Sequence, residues 1–178
     1  MNSKALFVSS PKLFVSQQIK FAKVNPEAII PSKRVEDAGF DIYACFEEEY
    51  MVIKPHETKL IPTGIASACD PSLYLQLYER GSTGTKGMGQ RCGVIDSGYR
   101  GEWFVPITNH NNVPIIISKN DNLPMDFKDL AIVYPYTKAI CQAVVHFVPL
   151  VEVEEISYAD LKAIASERGE GALGSSNK

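Results

Sequence analysis

The stretch Leu73-Tyr74-Leu75-Gln76-Leu77-Tyr78 alternates leucine with a polar or aromatic residue over six positions. A period of two is typical of a half-buried β-strand, because successive side chains of a strand point to opposite faces. Short β-rich runs recur along the chain and are separated by Gly, Pro, Asn and Asp, which favour turns. The other predicted strands lie at 19–24, 49–53, 59–62, 103–108, 113–118, 130–134 and 140–148. The pattern predicts a mostly β domain, built as a sandwich, jelly roll or barrel.

A chain of 178 residues suffices for one well-packed domain and is short for two. We expect an N-terminal extension at 1–18, a β domain at 19–166 and a flexible C-terminal tail at 167–178. One short helix is predicted at 157–165, with Ser157 as its N-cap. The segment 109–137 is rich in Asn and carries Ile115, Ile116 and Ile117 with few charges, so it is predicted to be an excursion from the core.

The formal net charge is −3 and the sequence pI is about 5.6, so the chain lacks the general basic field that nucleic-acid binding uses. A small anionic substrate remains compatible with this charge. No run of about 20 apolar residues occurs, which predicts a soluble, cytoplasmic protein without a membrane partner. The cysteines show no metal-binding spacing and are expected to be reduced thiols; they are Cys45, Cys69, Cys92 and Cys141.

The segment Gly93-Val94-Ile95-Asp96-Ser97-Gly98-Tyr99-Arg100-Gly101-Glu102 combines a carboxylate, a tight turn and an aromatic ring. Val94 and Ile95 suggest a strand that ends at Asp96, and Ser97-Gly98 supports a chain reversal that returns Tyr99 toward the same point. A carboxylate in that position can orient a water, and the ring can wall off a flat ligand. An ordinary hairpin with Asp in its turn fits this segment equally well.

Three further segments carry groups suited to phosphates. The loop Arg80-Gly81-Ser82-Thr83-Gly84-Thr85-Lys86-Gly87 can bind an anion, although it lacks the Walker A spacing. Asp37 and Asp41 flank Gly39 and can hold the waters around Mg²⁺. The tail from Arg168 to Ser176 can close over a phosphate. Taken singly, each segment also fits a plain polar loop, a solvated acidic turn or a disordered terminus.

In this order the segments resemble the five motifs of the trimeric dUTPases, over residues 19–177. Residues 37–42 resemble the first motif, 80–82 the second, 93–102 the third, 139–142 the fourth and 168–176 the fifth. The resemblance implies a distorted jelly roll or β-barrel that assembles as a homotrimer with active sites shared between chains. It also implies hydrolysis of dUTP to dUMP and pyrophosphate with Mg²⁺, which keeps uracil out of DNA and supplies dUMP for dTMP synthesis.

The same resemblance assigns roles to individual residues. Asp96 would be catalytic and position the attacking water, Tyr99 would sit under the deoxyribose, and Asp41 would act on the metal through water. Uracil would be read by backbone groups between Gln90 and Tyr99. The implied substrate-binding set is Arg80, Gly81, Ser82, Gln90, Gly93, Val94, Ile95, Tyr99, Gln142, Arg168, Leu173, Gly174 and Ser175.

The chain departs from the family pattern at three positions. The family usually has Ser at Gly81, Phe at Leu173 and a basic residue at Ala139. Two alternative functions use the same scaffold. A dCTP deaminase is disfavoured because Phe104-Val105-Pro106 stands where that family carries its catalytic Glu. A regulatory protein on this scaffold, with 109–137 as its partner surface, is compatible with catalysis.

Overall fold

The computed structural model describes residues 17–91, 93–120 and 130–170. The chain divides into two compact units, one ending at Val148 and the other beginning at Pro149. The first unit is built from twelve strands and one helical turn, and the second contains a single short helix, within the described ranges. The predicted mostly β class is therefore confirmed.

The eight strands whose ranges were predicted lie close to those positions, with boundaries that differ by one or two residues in most cases. The strands of the first unit are β1 (Lys20–Lys23), β2 (Gly39–Ile42), β3 (Tyr50–Ile53), β4 (Thr58–Pro62), β5 (Ile65–Ala68), β6 (Leu73–Tyr78), β7 (Met88–Gln90), β8 (Val94–Asp96), β9 (Phe104–Asn109), β10 (Ile115–Ser118), β11 (Ile132–Pro135) and β12 (Cys141–Phe147). The helices are α1 (Gly81–Gly84) and α2 (Tyr158–Ala163). The turn α1 was not predicted, because its glycines and hydroxyl residues have low helix propensity.

The strands form four small sheets, with the orders β1-β5, β11-β10-β3, β2-β12-β6-β8 and β4-β9-β7. Their inner faces share one hydrophobic core. The largest of its fully buried side chains are Trp103, Tyr134, Ile42, Ile53, Ile61, Ile65, Leu75, Met88, Ile107, Ile115 and Ile117. Burial of this apolar surface is the main favourable contribution to folding of the first unit.

The four-stranded sheet positions the polar residues of interest. In β6, Leu73, Leu75 and Leu77 are buried, so the alternate residues Tyr74 and Tyr78 lie on the outer face. Cross-strand partners share a face, and the register pairs Asp41 with Gln142, Gln142 with Tyr78, and Tyr74 with Asp96. Asp41, Gln142 and Asp96 therefore lie on the same outer face of this sheet.

The structure corrects the interpretation of Ile115, Ile116 and Ile117 as an apolar partner surface. These side chains are buried in β10, which pairs antiparallel with β3 and parallel with β11. Asn109 is buried too, and its side-chain amide donates to the carbonyls of Ile53, Lys54 and Val113. The first part of the predicted excursion is thus anchored in the core, and residues 121–129 lie outside the described residues.

The second unit contains the predicted helix. The Ser157 hydroxyl accepts a hydrogen bond from the Asp160 amide, which confirms Ser157 as the N-cap of α2. Two side chains of the helix contact the chain that follows it: the Tyr158 hydroxyl donates to Glu170 at 2.8 Å, and Lys162 lies 3.8 Å from the same carboxylate. None of the helices in the described part of the chain has the length and apolar character that a membrane crossing requires.

Candidate active site

A cavity of about 790 Å³ opens beside β2, α1 and β12. Three of the motifs identified in the sequence meet there, because β2 and β12 are paired and Arg80 follows β6, the other neighbour of β12. The residues that line the cavity are Ser32, Lys33, Arg34, Asp37, Ala38, Gly39, Asp41, Arg80, Gly81, Ser82 and Gln142. The predicted residues Asp41, Arg80, Gly81, Ser82 and Gln142 are therefore brought together.

Arg80 and Asp41 form a two-point ion pair in this cavity. Arg80 Nε lies 3.0 Å from Asp41 Oδ1, and an Arg80 terminal nitrogen lies 3.4 Å from Asp41 Oδ2. The two side chains are 29% and 35% exposed, so each keeps a surface toward the cavity. A guanidinium has five N–H donors, and this pairing leaves Arg80 able to donate to a ligand as well.

The turn α1 fixes the start of the Arg80 loop. The Arg80 amide donates to the buried Thr83 hydroxyl at 3.0 Å, and that hydroxyl donates back to the Arg80 carbonyl at 2.9 Å. The Arg80 guanidinium also lies 3.3 Å from the Ser82 hydroxyl and 3.3 Å from the Ala139 carbonyl. The loop thus presents a cation and a hydroxyl from one short segment.

Tyr134 contacts the surroundings of Arg80 from the core side. Its hydroxyl is buried and donates to the Ala139 carbonyl at 2.6 Å, the same oxygen that accepts from Arg80. Burial raises the pKa of Tyr134, while hydrogen bonding to Ser82 and the charge of Arg80 oppose that rise. The phenol is expected to stay protonated at neutral pH and to remain a donor. Nothing in the sequence around Tyr134 predicts this role, because a tyrosine at this position is typical of any strand.

Gln142 lines the cavity from β12. Its side-chain amide donates to the Glu79 carbonyl at 2.9 Å, which directs the amide oxygen toward Gly39. A Cβ at position 39 would lie 2.7 Å from that oxygen and 3.0 Å from Gln142 Cβ, so a larger residue there would have to displace the Gln142 side chain. The glycine of the first motif is explained by this close approach.

The loop at 32–38 contributes two cations, Lys33 and Arg34, that lie outside the five motifs. Arg34 makes a bidentate ion pair with Asp37, with distances of 2.8 and 3.0 Å. The hydrogen bond from Arg34 is the largest cause of the lowered pKa of Asp37. Lys33 Nζ donates to the Asp37 carbonyl at 2.7 Å. The signal that could have identified this loop is the pair of adjacent cations a few residues before Asp41.

The β8 hairpin, meaning β8 with the turn after it at residues 97–99, carries Asp96 and Tyr99 and does not line this cavity. Its strand pairs with β6, whereas the next strand, β9, pairs with β4 and β7, so the predicted pairing of two consecutive strands is not formed. The Tyr99 amide donates to the Asp96 carbonyl at 3.1 Å, which closes the predicted turn. Tyr99 is 44% exposed, and its hydroxyl donates to the Glu102 carbonyl at 2.9 Å. The Glu102 carboxylate in turn accepts from the Gly64 amide at 2.8 Å. The hairpin therefore holds an exposed carboxylate and an exposed ring in fixed positions.

A second cavity, of about 640 Å³, lies between the β8 hairpin and β6. Gln90, Gly93 and Val94 line it together with residues 76–79. Ile95 instead points into the core and is 8% exposed. A Cβ at Gly93 would lie 2.7 Å from Gln76 Nε2 and 2.8 Å from the Leu77 carbonyl, so this glycine allows the close approach of the hairpin to β6.

The remaining predicted site residues belong to the C-terminal segment. Arg168 lies in the second unit, where its amide donates to the Ser166 hydroxyl at 3.3 Å. Leu173, Gly174 and Ser175 lie outside the described residues.

The fold and the site define a class, namely a mostly β protein with a cation-lined pocket of the kind that binds phosphorylated small molecules. Comparison with known proteins narrows this class. The family model described as dUTPase matches residues 25–123. The deoxyuridine 5'-triphosphate nucleotidohydrolase of Nautilia profundicola is 33% identical over 165 residues, which cover 90% of this chain and 99% of that protein. The chain belongs to the dUTPase family.

Two solved structures show the same fold. The dUTPase of Staphylococcus bacteriophage 80alpha, solved with dUPNHPP, superposes with a TM-score of 0.69 at 22% identity and covers 90% of this chain and 99% of its own. A mutant dUTPase from phage phi11 of S. aureus, described as coordinating a structural Mg(II) ion, gives a TM-score of 0.63 at 20% identity. It covers 78% of this chain and 96% of its own.

Proposed function

We propose that this dUTP nucleotidohydrolase binds the triphosphate in the cavity beside α1 and reads the nucleoside with the β8 hairpin. Water attacks the α-phosphorus, the bond from that phosphorus to the bridging oxygen breaks, and pyrophosphate leaves with the electron pair. The products are dUMP and pyrophosphate. The observation that carries this proposal is the convergence of Asp41, Arg80, Ser82 and Gln142 on one cavity.

Arg80, Ser82 and Gln142 bind phosphate oxygens in this proposal. Arg80 and Ser82 come from one segment held by Thr83, so their donors are positioned before substrate arrives. Preorganised donors stabilise negative charge on a phosphate more effectively than mobile ones, since they need no reorganisation during the reaction. The amide of Gln142 adds a neutral donor from the neighbouring strand β12.

The donor set of the cavity fits Mg²⁺, the metal that the dUTPase family is known to use. Within the described residues no cluster of three or more His, Cys, Asp or Glu side chains is found, so a metal cage made only of protein is not indicated there. Mg²⁺ prefers one or two carboxylates together with substrate phosphates and retained waters, and Asp41 supplies such a carboxylate. When bound, Mg²⁺ would offset the negative charge of the triphosphate.

Asp96 positions and deprotonates the attacking water. Its carboxylate is exposed at the end of β8, where it can reach a ligand that lies against the hairpin. Tyr99 supplies the ring under the deoxyribose and excludes a ribose 2′-hydroxyl. Backbone groups near Gln90, Gly93 and Val94 read uracil in the second cavity. The Ile95 side chain supports the hairpin from the core and its contribution to binding is limited to its backbone.

The separation of the two carboxylates supports a site that is shared between chains. Asp41 and Asp96 lie on strands three spacings apart, and their registers differ by four residues along β6. With about 4.8 Å between strands and about 3.3 Å per residue, they are roughly 20 Å apart. That distance is too long for both to act at one α-phosphorus, so each site takes its hairpin from another copy of the chain. A homotrimer provides three such sites.

Exposed apolar side chains support this assembly. Val94, Phe104 and Phe147 in the first unit are 58%, 45% and 74% exposed in the single chain. In the second unit, Leu150 and Val153 are also almost fully exposed. Contact with neighbouring copies would remove such side chains from water, which favours assembly. We include the tail in the same proposal, with Arg168, Leu173, Gly174 and Ser175 closing over the bound phosphates.

Substitution of Asp96 by asparagine tests the proposed chemistry. Asp96→Asn keeps the size of the side chain but removes the proton acceptor, so we expect kcat for dUTP to fall by about 10²-fold or more. Pyrophosphate release in the presence of Mg²⁺ measures the rate, and size-exclusion chromatography checks that the assembly is unchanged.

The matched control is Asp70→Asn, a substitution of an exposed Asp whose carboxylate accepts from the Ser72 amide and lies outside both cavities. The control should hydrolyse dUTP at the wild-type rate. Unchanged activity in Asp96→Asn, or equal wild-type rates on dUTP, dTTP, dCTP and UTP, would contradict the proposal.

A further inference from the structure

The loop at 32–38 forms one wall of the phosphate cavity, and none of the roles proposed above uses it. Ser32, Lys33, Arg34, Asp37 and Ala38 of this loop all line the cavity. A backbone bridge between Ser32 and Asp41 ties the loop to β2, with the Asp41 amide donating to the Ser32 carbonyl at 3.0 Å. The loop is therefore fixed beside the Asp41–Arg80 pair.

The charges that line the cavity do not cancel. The cations are Lys33, Arg34 and Arg80, and the carboxylates are Asp37 and Asp41, which gives a net charge of +1. Arg80 is paired with Asp41 and Arg34 with Asp37. The hydrogen bonds of Lys33 go to carbonyl oxygens, which carry only partial charge. Lys33 also contributes to the lowered pKa of Asp37, but among the described residues it has no carboxylate within ion-pair distance, so it is the cation of the cavity that no salt bridge neutralises.

The Lys33 ammonium is held in place by the loop itself. It donates to the Asp37 carbonyl at 2.7 Å and to the Arg34 carbonyl at 3.3 Å, and it lies 5.6 Å from the centre of the Phe40 ring. An ammonium has three N–H donors, and these two carbonyls occupy two of them. One donor remains for a ligand, and little side-chain entropy is lost when the ligand binds.

We propose that Lys33 binds the β- and γ-phosphates of dUTP, and hence the pyrophosphate product. This inference rests on the proposed function, in which the triphosphate occupies this cavity. The α-phosphorus must face the Asp96 hairpin of another copy, and the hairpin does not line the cavity in its own chain. The rest of the phosphate chain then extends into the cavity, where Lys33 lines the wall and supplies the charge. Arg34 is a less suitable contact because Asp37 already neutralises it.

The test compares pyrophosphate and dUMP binding by calorimetry on the full chain with Mg²⁺ present. In Lys33→Met we expect the Kd for pyrophosphate and the KM for dUTP to rise about tenfold, through loss of a charged hydrogen bond. The Kd for dUMP should change less than about twofold, because dUMP lacks the phosphates that Lys33 contacts.

Two further variants make the test specific. Asp37→Asn raises the net charge of the cavity from +1 to +2 and should tighten pyrophosphate binding about threefold; an increase in affinity cannot result from misfolding. Lys23→Met is the matched control, because Lys23 also donates to a nearby carbonyl, that of Pro26, but lines neither cavity. This control should bind pyrophosphate like the wild type.

Unchanged pyrophosphate binding in Lys33→Met, equal weakening of dUMP and pyrophosphate, or weakened binding in Asp37→Asn would overturn the inference. The proposed function is tested separately by dUTP turnover. If wild-type protein failed to hydrolyse dUTP and pyrophosphate binding still depended on Lys33, the function would be wrong and the Lys33 contact would stand.

Discussion

Gly81 shows what a single residue can change in this site. The family usually has Ser here, and the hydroxyl nearest to Gly81 in sequence is that of the following residue, Ser82, which lies 3.3 Å from Arg80. A Cβ built at Gly81 would have no atom within 4 Å, and the backbone there does not have a positive φ. The site therefore has room for a serine side chain at position 81.

Replacement of Gly81 by serine is expected to fold normally and to raise kcat/KM for dUTP about threefold to tenfold. The added hydroxyl would contact a phosphate from the first position of α1, and loss of glycine flexibility would favour the folded state slightly. Steady-state kinetics and thermal unfolding measure the two effects.

Gly81→Ala is the control for backbone flexibility alone. It should reproduce any gain in stability without the gain in rate. Equal kinetics for the serine and alanine variants would show that Ser82 already supplies the required hydroxyl.

At the scale of elements, the β8 hairpin depends on Arg100. One terminal nitrogen of Arg100 lies within hydrogen-bond distance of the Ser67, Ser97 and Tyr99 carbonyls, at 3.2, 2.6 and 3.1 Å. Ser97 and Tyr99 belong to the turn that follows Asp96, and Ser67 belongs to β5. Arg100 thus links the turn to a neighbouring sheet by hydrogen bonds. These bonds fix the positions of the Asp96 carboxylate and the Tyr99 ring.

Substitution of Arg100 by methionine should cost about 1–2 kcal/mol of unfolding free energy, because the hydrogen bonds from a charged donor are lost. It should also lower kcat for dUTP by a larger factor than it raises KM, since Asp96 would be less well positioned for the water. Urea unfolding and steady-state kinetics test this.

Lys20→Met, in the exposed strand β1, provides a comparison for loss of a surface cation. A loss of stability without a loss of kcat would show that Arg100 holds the fold together but does not position Asp96.

At the scale of the whole molecule, the proposed function makes assembly a condition for activity, because the phosphate cavity and Asp96 are separated within one chain. Within one chain the two parts of the site lie roughly 20 Å apart, as judged from strand spacing and register. A monomer would bind the triphosphate but would lack the Asp96 of another copy, which positions the attacking water. We therefore expect activity per chain to fall on dilution at the concentrations where the assembly dissociates.

Mixed assemblies give a direct test of sharing between chains. Arg80→Ala damages the cavity and Asp96→Asn damages the hairpin, and each variant alone should be nearly inactive. Coexpressed in equal amounts, they should recover about a quarter of the wild-type sites, because a random trimer then pairs an intact cavity with an intact hairpin in that fraction.

Mixing the two purified variants without subunit exchange is the control, and it should recover nothing. Absence of recovery in the coexpressed sample, with both variants present in the same trimers, would place each site within one chain.

Period-two alternation and turn residues predicted most of the strands, because both signals are local and strand burial repeats every second residue. The sequence order of the motifs likewise identified Asp41, Arg80, Ser82 and Gln142, which the structure brings to one cavity. The short strands Ile65–Ala68 and Met88–Gln90 were not predicted, since small residues and glycine carry little strand signal. Ile115, Ile116 and Ile117 were misassigned because an apolar run reads the same in a core strand and in an exposed patch.

By itself, the sequence determined the class of fold, the family and the residue types of the site, because alternation, turns and motif order are properties of neighbouring residues. Only the tertiary structure decided which charges neutralise each other. The pairing of Arg80 with Asp41 joins residues 39 positions apart, and the burial of Tyr134 beneath Arg80 depends on how β11 packs against the other strands. Such pairings depend on distances through space, which sequence spacing does not specify, and among the described residues they leave Lys33 as the cation of the cavity without a salt bridge.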